Sequence, residues 1–168
     1  YNTFTNYQYN SMNKKITIIG GGNLGSAIAE GLINSGFIQP QNITVTKRNV
    51  ETLLHLQVKG VNISNDNNQA VENADYVILA IKPFQIKEVL VKLKPSLKVN
   101  QHVLVSVVTG VWVKEMQDLL GNEFPIFRAM PNTAIAIQQS MTCISENNAS
   151  KEQIQFVTDV FKKKKKTV

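Results

Sequence analysis

The chain carries one cysteine, Cys143, two histidines, two arginines and one tryptophan among 168 residues. A single thiol excludes an internal disulfide framework and a cysteine-rich metal site. Cys143 stands in the apolar run Met141-Thr-Cys-Ile144, where an inert buried thiol is expected rather than a nucleophile. No paired carboxylates and no histidine cluster suggest a metal, so none is expected. No stretch approaches the ~18 continuous apolar residues of a membrane span. The first eleven residues have neither a basic n-region nor an apolar h-region, so they do not read as a signal peptide. Residues 1–11 are read as a leader or tag ahead of Met12, and a reducing, cytoplasmic compartment is the expectation.

Acidic charge is scarce only on paper. The formal net charge is +6, yet five of the eighteen basic residues are Lys162 to Lys166. Without that run, thirteen basic residues face twelve acidic ones, so the basicity belongs to a tail at 162–168 and the body is nearly neutral. The run has no interleaved aromatic or arginine, and no nucleic-acid partner is expected. Hydrophobic residues make up 43% and charged residues 18%, which suits one globular domain, here residues 12–161.

Short β-branched runs alternate with stretches of helical period from Lys15 onward, the pattern of parallel βαβ units. Strands are predicted at 16–19, 43–46, 61–63, 76–81, 103–108, 125–129 and 140–145. Helices are predicted at 23–35, 49–59, 83–93, 114–120 and 151–161. Residues 65–68 read as a polar loop. The fold class is therefore α/β: a doubly wound, mostly parallel sheet of Rossmann type with helices on both faces.

Gly20-Gly-Gly-Asn-Leu-Gly25 satisfies G-x-G-x-x-G immediately after a strand and at the start of a helix, the context that gives the pattern meaning. The first glycine permits the tight turn, the second lets the backbone approach a pyrophosphate, and the third lets helix and strand pack closely. The helix N-terminus adds free N–H groups and about half a positive charge. An NAD site places a carboxylate at the end of the second strand to hold the ribose 2′-hydroxyl. Here that place reads Thr46-Lys47-Arg48-Asn49, with no carboxylate before Glu51. Two cations and a hydroxyl suit a 2′-phosphate, so NADPH is the preferred cofactor, with NADH also possible.

Four spaced blocks go further. Ile18-Ile-Gly-Gly-Gly-Asn-Leu-Gly-Ser-Ala-Ile-Ala-Glu-Gly-Leu32, Ala74-Asp-Tyr-Val-Ile-Leu-Ala-Ile-Lys-Pro83, Ser106-Val-Val-Thr-Gly-Val111 and Arg128-Ala-Met-Pro-Asn-Thr133 occur in this order. Together they resemble the N-terminal cofactor domain of pyrroline-5-carboxylate reductase. The resemblance implies NAD(P)H-dependent reduction of the cyclic imine 1-pyrroline-5-carboxylate to L-proline, the last step of proline biosynthesis. It implies that Gly20, Gly22, Asn23, Leu24 and Gly25 hold the pyrophosphate and that Thr46, Lys47, Arg48 and Asn67 hold the adenosine end. Ala80, Lys82, Pro83, Thr109 and Gly110 would line the crevice, and Met130, Pro131 and Asn132 would come near the nicotinamide. Lys82 reads equally well as a surface lysine that snorkels off a strand end.

The family continues with a helical domain that carries a Ser/Thr-Gly-rich substrate loop and builds a homo-oligomer. These 168 residues hold no such stretch, so the expectation is a fragment or truncated gene product that keeps the nucleotide site and lacks that dimerisation domain. No catalytic residue stands out. His55 and His102 read as structural or surface residues, and Ser106 and Thr109 lack the His–Asp partners of a triad. Other readings are a β-hydroxyacid dehydrogenase, a deazaflavin-linked NADP reductase or a noncatalytic NADP-binding module.

Overall fold

The computed structural model describes residues 2–130, 143–146 and 148–161. Its centre is a seven-stranded sheet: β1 (Ile16–Ile19), β2 (Ile43–Thr46), β3 (Asn62–Ser64), β4 (Tyr76–Leu79), β5 (Val103–Ser106), β6 (Ile126–Ala129) and β7 (Cys143–Glu146). The spatial order is β3-β2-β1-β4-β5-β6-β7, with every pairing parallel except β6 with β7. Side chains of β1, β4 and β5 are buried throughout, as strands covered on both faces must be.

Alternation splits the core into two. Ile16, Ile18, Tyr76, Ile78, Val103 and Val105 face one cluster. Ile19, Val77, Leu79, Leu104 and Ile126 face the other. The first cluster is closed by α2 (Asn23–Asn34), the short α3 (Leu54–Gln57) and α7 (Lys151–Val160). The second is closed by α4 (Asn67–Val71), α5 (Ile86–Leu93) and α6 (Val113–Leu120). The period-two pattern therefore fixes register, because a one-residue slip would exchange the two clusters.

Several elements differ from the sequence reading, each for a local reason. The apolar runs 76–81 and 103–108 give strands that stop at Leu79 and Ser106. The neighbour of β4, β1, ends at Ile19, and the last ladder bonds are Ala80 N–H to the Ile19 carbonyl (2.9 Å) and, from β5 to β4, Val107 N–H to the Leu79 carbonyl (3.1 Å). The apolar residues beyond overhang the sheet and wall a crevice. The helix expected at 49–59 is a 3-10 turn, Val50–Leu53, followed by α3, with Asn49 capping the Glu51 N–H at 3.1 Å. Pro83 opens a 3-10 turn, Pro83–Gln85, before α5. Of the polar loop at 65–68, residues 67 and 68 are instead the start of α4, capped by the Asp66 carboxylate, which accepts from the Gln69 N–H at 3.1 Å. A polar cluster reads as loop because Asp and Asn favour caps and turns alike.

Residues 2–12 form α1 (Asn2–Met12), which the polar composition did not suggest. Its Tyr7 hydroxyl donates to the Asp159 carboxylate of α7 at 2.5 Å, and Ser11 is buried. Beneath α7, Phe156 stacks on Tyr76 with ring centroids 4.0 Å apart and tilts against Phe37 at 5.3 Å. No helix among the described residues is long and apolar enough to cross a membrane. The segment holding Pro131, Asn132 and Thr133, most of the Cys143 apolar run and the lysine tail lie outside the described residues, as do the side chains of β7.

Candidate nucleotide-binding site

The strand order reverses between β1 and β4, the point where open α/β sheets bind ligands beyond their carboxyl ends. A crevice of about 1090 Å³ opens there. Its floor is the glycine turn after β1. Gly20 and Gly21 donate N–H bonds to the Thr46 carbonyl at 3.2 and 2.7 Å, which ties the turn to the end of β2.

The glycines serve different ends. Gly20 has φ +102°, and a Cβ there would collide with the Ala80 carbonyl and lie 2.9 Å from Ile81 Cγ2. A Cβ on Gly25 would collide with the Gly20 carbonyl oxygen, so this residue lets α2 pack onto the turn. Gly22 is the exception: a Cβ there would meet no atom within 4 Å. Packing does not require glycine at that position, and the space it leaves faces the crevice. Gly22 is also the N-cap of α2 and supplies no side-chain cap, so the first-turn N–H groups have no capping partner from it. This is a cradle into which an anion fits.

Charge around the crevice suits the same guest. Lys47, half-buried, and Arg48, exposed, follow β2 and line it, as does exposed Lys82 after β4. None of the three makes an ion pair among the described residues. Two carboxylates also line the crevice. That of Asp66 caps α4, and that of Glu88 binds the Lys92 ammonium at 2.7 Å. The Lys92 ammonium holds the Glu88 carboxyl below its usual range, and the Arg48 guanidinium adds to that pull.

Most of the expected site residues meet here. Gly20, Gly22, Asn23, Leu24, Thr46, Lys47, Arg48, Asn67, Ala80, Lys82, Pro83 and Thr109 all line the crevice. Gly25 lies packed beneath it, and neither exposed Gly110 nor exposed Met130 is part of its lining. Asp66, Gln85, Glu88, Val89 and Lys92 line it without having been singled out. Gln85, Glu88 and Lys92 fall at helical spacing after Pro83, and that stripe was the available signal.

Several other groups stay apart. His102 is buried: its Nδ1 accepts the Lys98 N–H at 2.8 Å, so its Nε2 carries the proton to the Val71 carbonyl at 2.7 Å. It is structural, as expected, and His55 is exposed on α3. Ser106 is fully buried and accepts from the Val108 N–H. Among the described residues no cluster of potential metal ligands occurs. Trp112, unremarked in the sequence, lies mostly exposed with the Arg128 guanidinium 4.6 Å from its ring centre.

Residues 15–110 match the family model described as NADP oxidoreductase, coenzyme F420-dependent. The chain belongs to that family. Within it, pyrroline-5-carboxylate reductase 1 of Dictyostelium discoideum is 39% identical over 130 residues, which cover 77% of this chain and 23% of that protein. Pyrroline-5-carboxylate reductase of Corynebacterium melassecola is 36% identical over 149 residues, 86% of this chain and 55% of that one. The solved structure of a pyrroline-5-carboxylate reductase from Coxiella burnetii superposes with a TM-score of 0.83 at 35% identity, over 88% of this chain and 55% of its own. That of Plasmodium falciparum pyrroline carboxylate reductase with NADP bound gives 0.80 at 25% identity, over 89% and 55%. The chain thus spans about half or less of the length of these relatives. Likeness to 3-hydroxyisobutyrate dehydrogenase of Mycobacterium tuberculosis, TM-score 0.67 at 14% identity, shows the shared fold alone.

Proposed function

We propose that residues 12–161 are the cofactor unit of a pyrroline-5-carboxylate reductase and that this crevice holds NADPH. The supporting observation is Gly22. A position with room for a side chain keeps none, on a turn whose other glycines are required by packing. Gly22 and the first-turn N–H groups at Asn23 and Leu24 receive the pyrophosphate. Thr46, Lys47 and Arg48 receive the adenosine end with its 2′-phosphate, and Asn67 borders it. Ala80, Lys82, Pro83 and Thr109 form the walls that exclude water further along. Gly110 is assigned beside Thr109, and Met130, Pro131 and Asn132 are assigned to the nicotinamide end. When bound, NADPH would supply a hydride for the imine carbon of 1-pyrroline-5-carboxylate, and with a proton taken up from water on the imine nitrogen this gives L-proline. The chain's own contribution is alignment and water exclusion. The working enzyme is a homo-oligomer acting on a small imine.

The sequence relatives at 36–39% identity favour the imine over a hydroxyacid substrate. The test has two parts. Calorimetry of residues 1–168 is expected to show NADPH binding tighter than NADH. The product of the natural gene is expected to oxidise NADPH only when 1-pyrroline-5-carboxylate is present. Binding of neither nucleotide refutes the site, and turnover with a β-hydroxyacid in place of the imine refutes the substrate.

A further inference from the structure

The crevice has a wall to which the reading above gives no role. On α5, Glu88, Val89 and Lys92 line it together with Lys47 and Arg48 at the end of β2. The six ionisable side chains that line it are Lys47, Arg48, Asp66, Lys82, Glu88 and Lys92. The Asp66 carboxylate is committed to the Gln69 N–H. Glu88 is paired with Lys92 at 2.7 Å, yet its side chain is 62% exposed, so its charge is not sealed away from the crevice.

We propose that Glu88, moderated by Lys92, is a specificity-determining residue: a fixed negative charge on the α5 wall that opposes a 2′-phosphate and spares a 2′-hydroxyl. The inference rests on the NADPH reading. A ribose 2′-phosphate carries up to two negative charges where NADH has a neutral hydroxyl. Cations of the β2 end therefore raise the preference for NADPH, and an anion on the α5 wall lowers it. Salt screens both effects over about 8 Å at physiological ionic strength. Glu88 and Arg48 line the same crevice, and the Arg48 guanidinium adds to the pull of Lys92 on the Glu88 carboxyl. Lys92 partly cancels Glu88, so the two residues have opposite effects on the same ratio. A pair that merely stabilises α5 would change folding with either loss and leave the ratio alone.

The experiment is calorimetric titration of residues 1–168 with NADPH and with NADH at low salt, for the wild type and for E88Q, K92Q and E123Q. Glu123 lies exposed between α6 and β6, outside the crevice lining, and its neutralisation changes net charge equally. E88Q is expected to raise the NADPH-to-NADH affinity ratio about three- to fivefold and K92Q to lower it by a similar factor. E123Q leaves it unchanged. Both shifts should fade toward one near ~1 M salt, where screening acts within about 3 Å. An unchanged ratio in E88Q, or an equal shift in E123Q, overturns the inference while leaving the nucleotide site standing. Binding of neither nucleotide by the wild type overturns both.

Discussion

Gly22 and Gly25 stand three residues apart in one motif, and the structure separates what each is for. At Gly25, a Cβ would collide with the Gly20 carbonyl oxygen and lie 3.3 Å from Ile18 Cγ2. Gly25→Ala gains about 0.5–1 kcal/mol of helix propensity but forces α2 off the turn, an overpacking cost of about 1–3 kcal/mol or more because the obstacle is backbone. The net expectation is a loss of about 1–2 kcal/mol, or a Tm lower by about 2–8 °C. At Gly22 the backbone is extended (φ −76°, ψ −162°) and a Cβ meets nothing. Gly22→Val should therefore fold with stability within about 1 kcal/mol of the wild type, the size of a changed N-cap. The isopropyl group would, however, fill the space through which a pyrophosphate reaches the N–H groups. NADPH affinity is expected to fall at least ~100-fold, about 2.7 kcal/mol. Thermal unfolding and calorimetry on both variants form the assay. Undiminished NADPH binding by Gly22→Val would refute the cradle, and an unchanged Tm in Gly25→Ala would refute the packing argument.

Arg48→Ala should weaken NADPH about tenfold, the ~1.4 kcal/mol of one charge-assisted hydrogen bond in a solvated crevice, and NADH less than twofold. Equal losses by calorimetry would show that Arg48 does not read the 2′-position. His102→Ala should cost about 2–4 kcal/mol in chemical denaturation, because it strands the buried Val71 carbonyl and the part-buried Lys98 N–H and leaves a cavity; a loss under ~1 kcal/mol would contradict that role. Burial, and then the bond to Asp159, push the Tyr7 phenol up from 10.0 to about 12. Its contribution to α1 docking is therefore fully present below pH 10 and lost as pH rises through about 12. Limited proteolysis of α1 should show that step in the wild type and not in Tyr7→Phe; identical profiles would refute the coupling.

The central strands and the glycine turn were legible because local signals and tertiary demands agree there. β1 and β2 begin and end where the sequence placed them, since Gly20 and the Thr46-Lys47 junction each end a run of β-branched residues. The strand ends at Leu79 and Ser106 were not legible. Residues 80–81 and 107–108 are as apolar as the strands they follow, and only the ladder, which closes with the Ala80 and Val107 N–H bonds, sets those ends. α1 escaped notice for the opposite reason. Its helical state accompanies contacts with α7, such as Tyr7 with Asp159, that lie 152 residues apart in sequence.

The same distinction governs the site. Thr46, Lys47 and Arg48 were readable because they adjoin a motif whose geometry places them. The absence of a carboxylate before Glu51 holds along the chain but does not hold in space, because α5 brings Glu88 to the crevice that Arg48 lines. A cofactor preference inferred from one strand end counts only the charges covalently near the motif. Two carboxylates and four cations line the folded crevice. The net charge there is positive, with the same excess of two that the β2 end alone implies, and it favours a 2′-phosphate. On the proposal above, Glu88 adds to the crevice an anion that a 2′-phosphate meets and a 2′-hydroxyl does not, and this leaves room for NADH as a second cofactor.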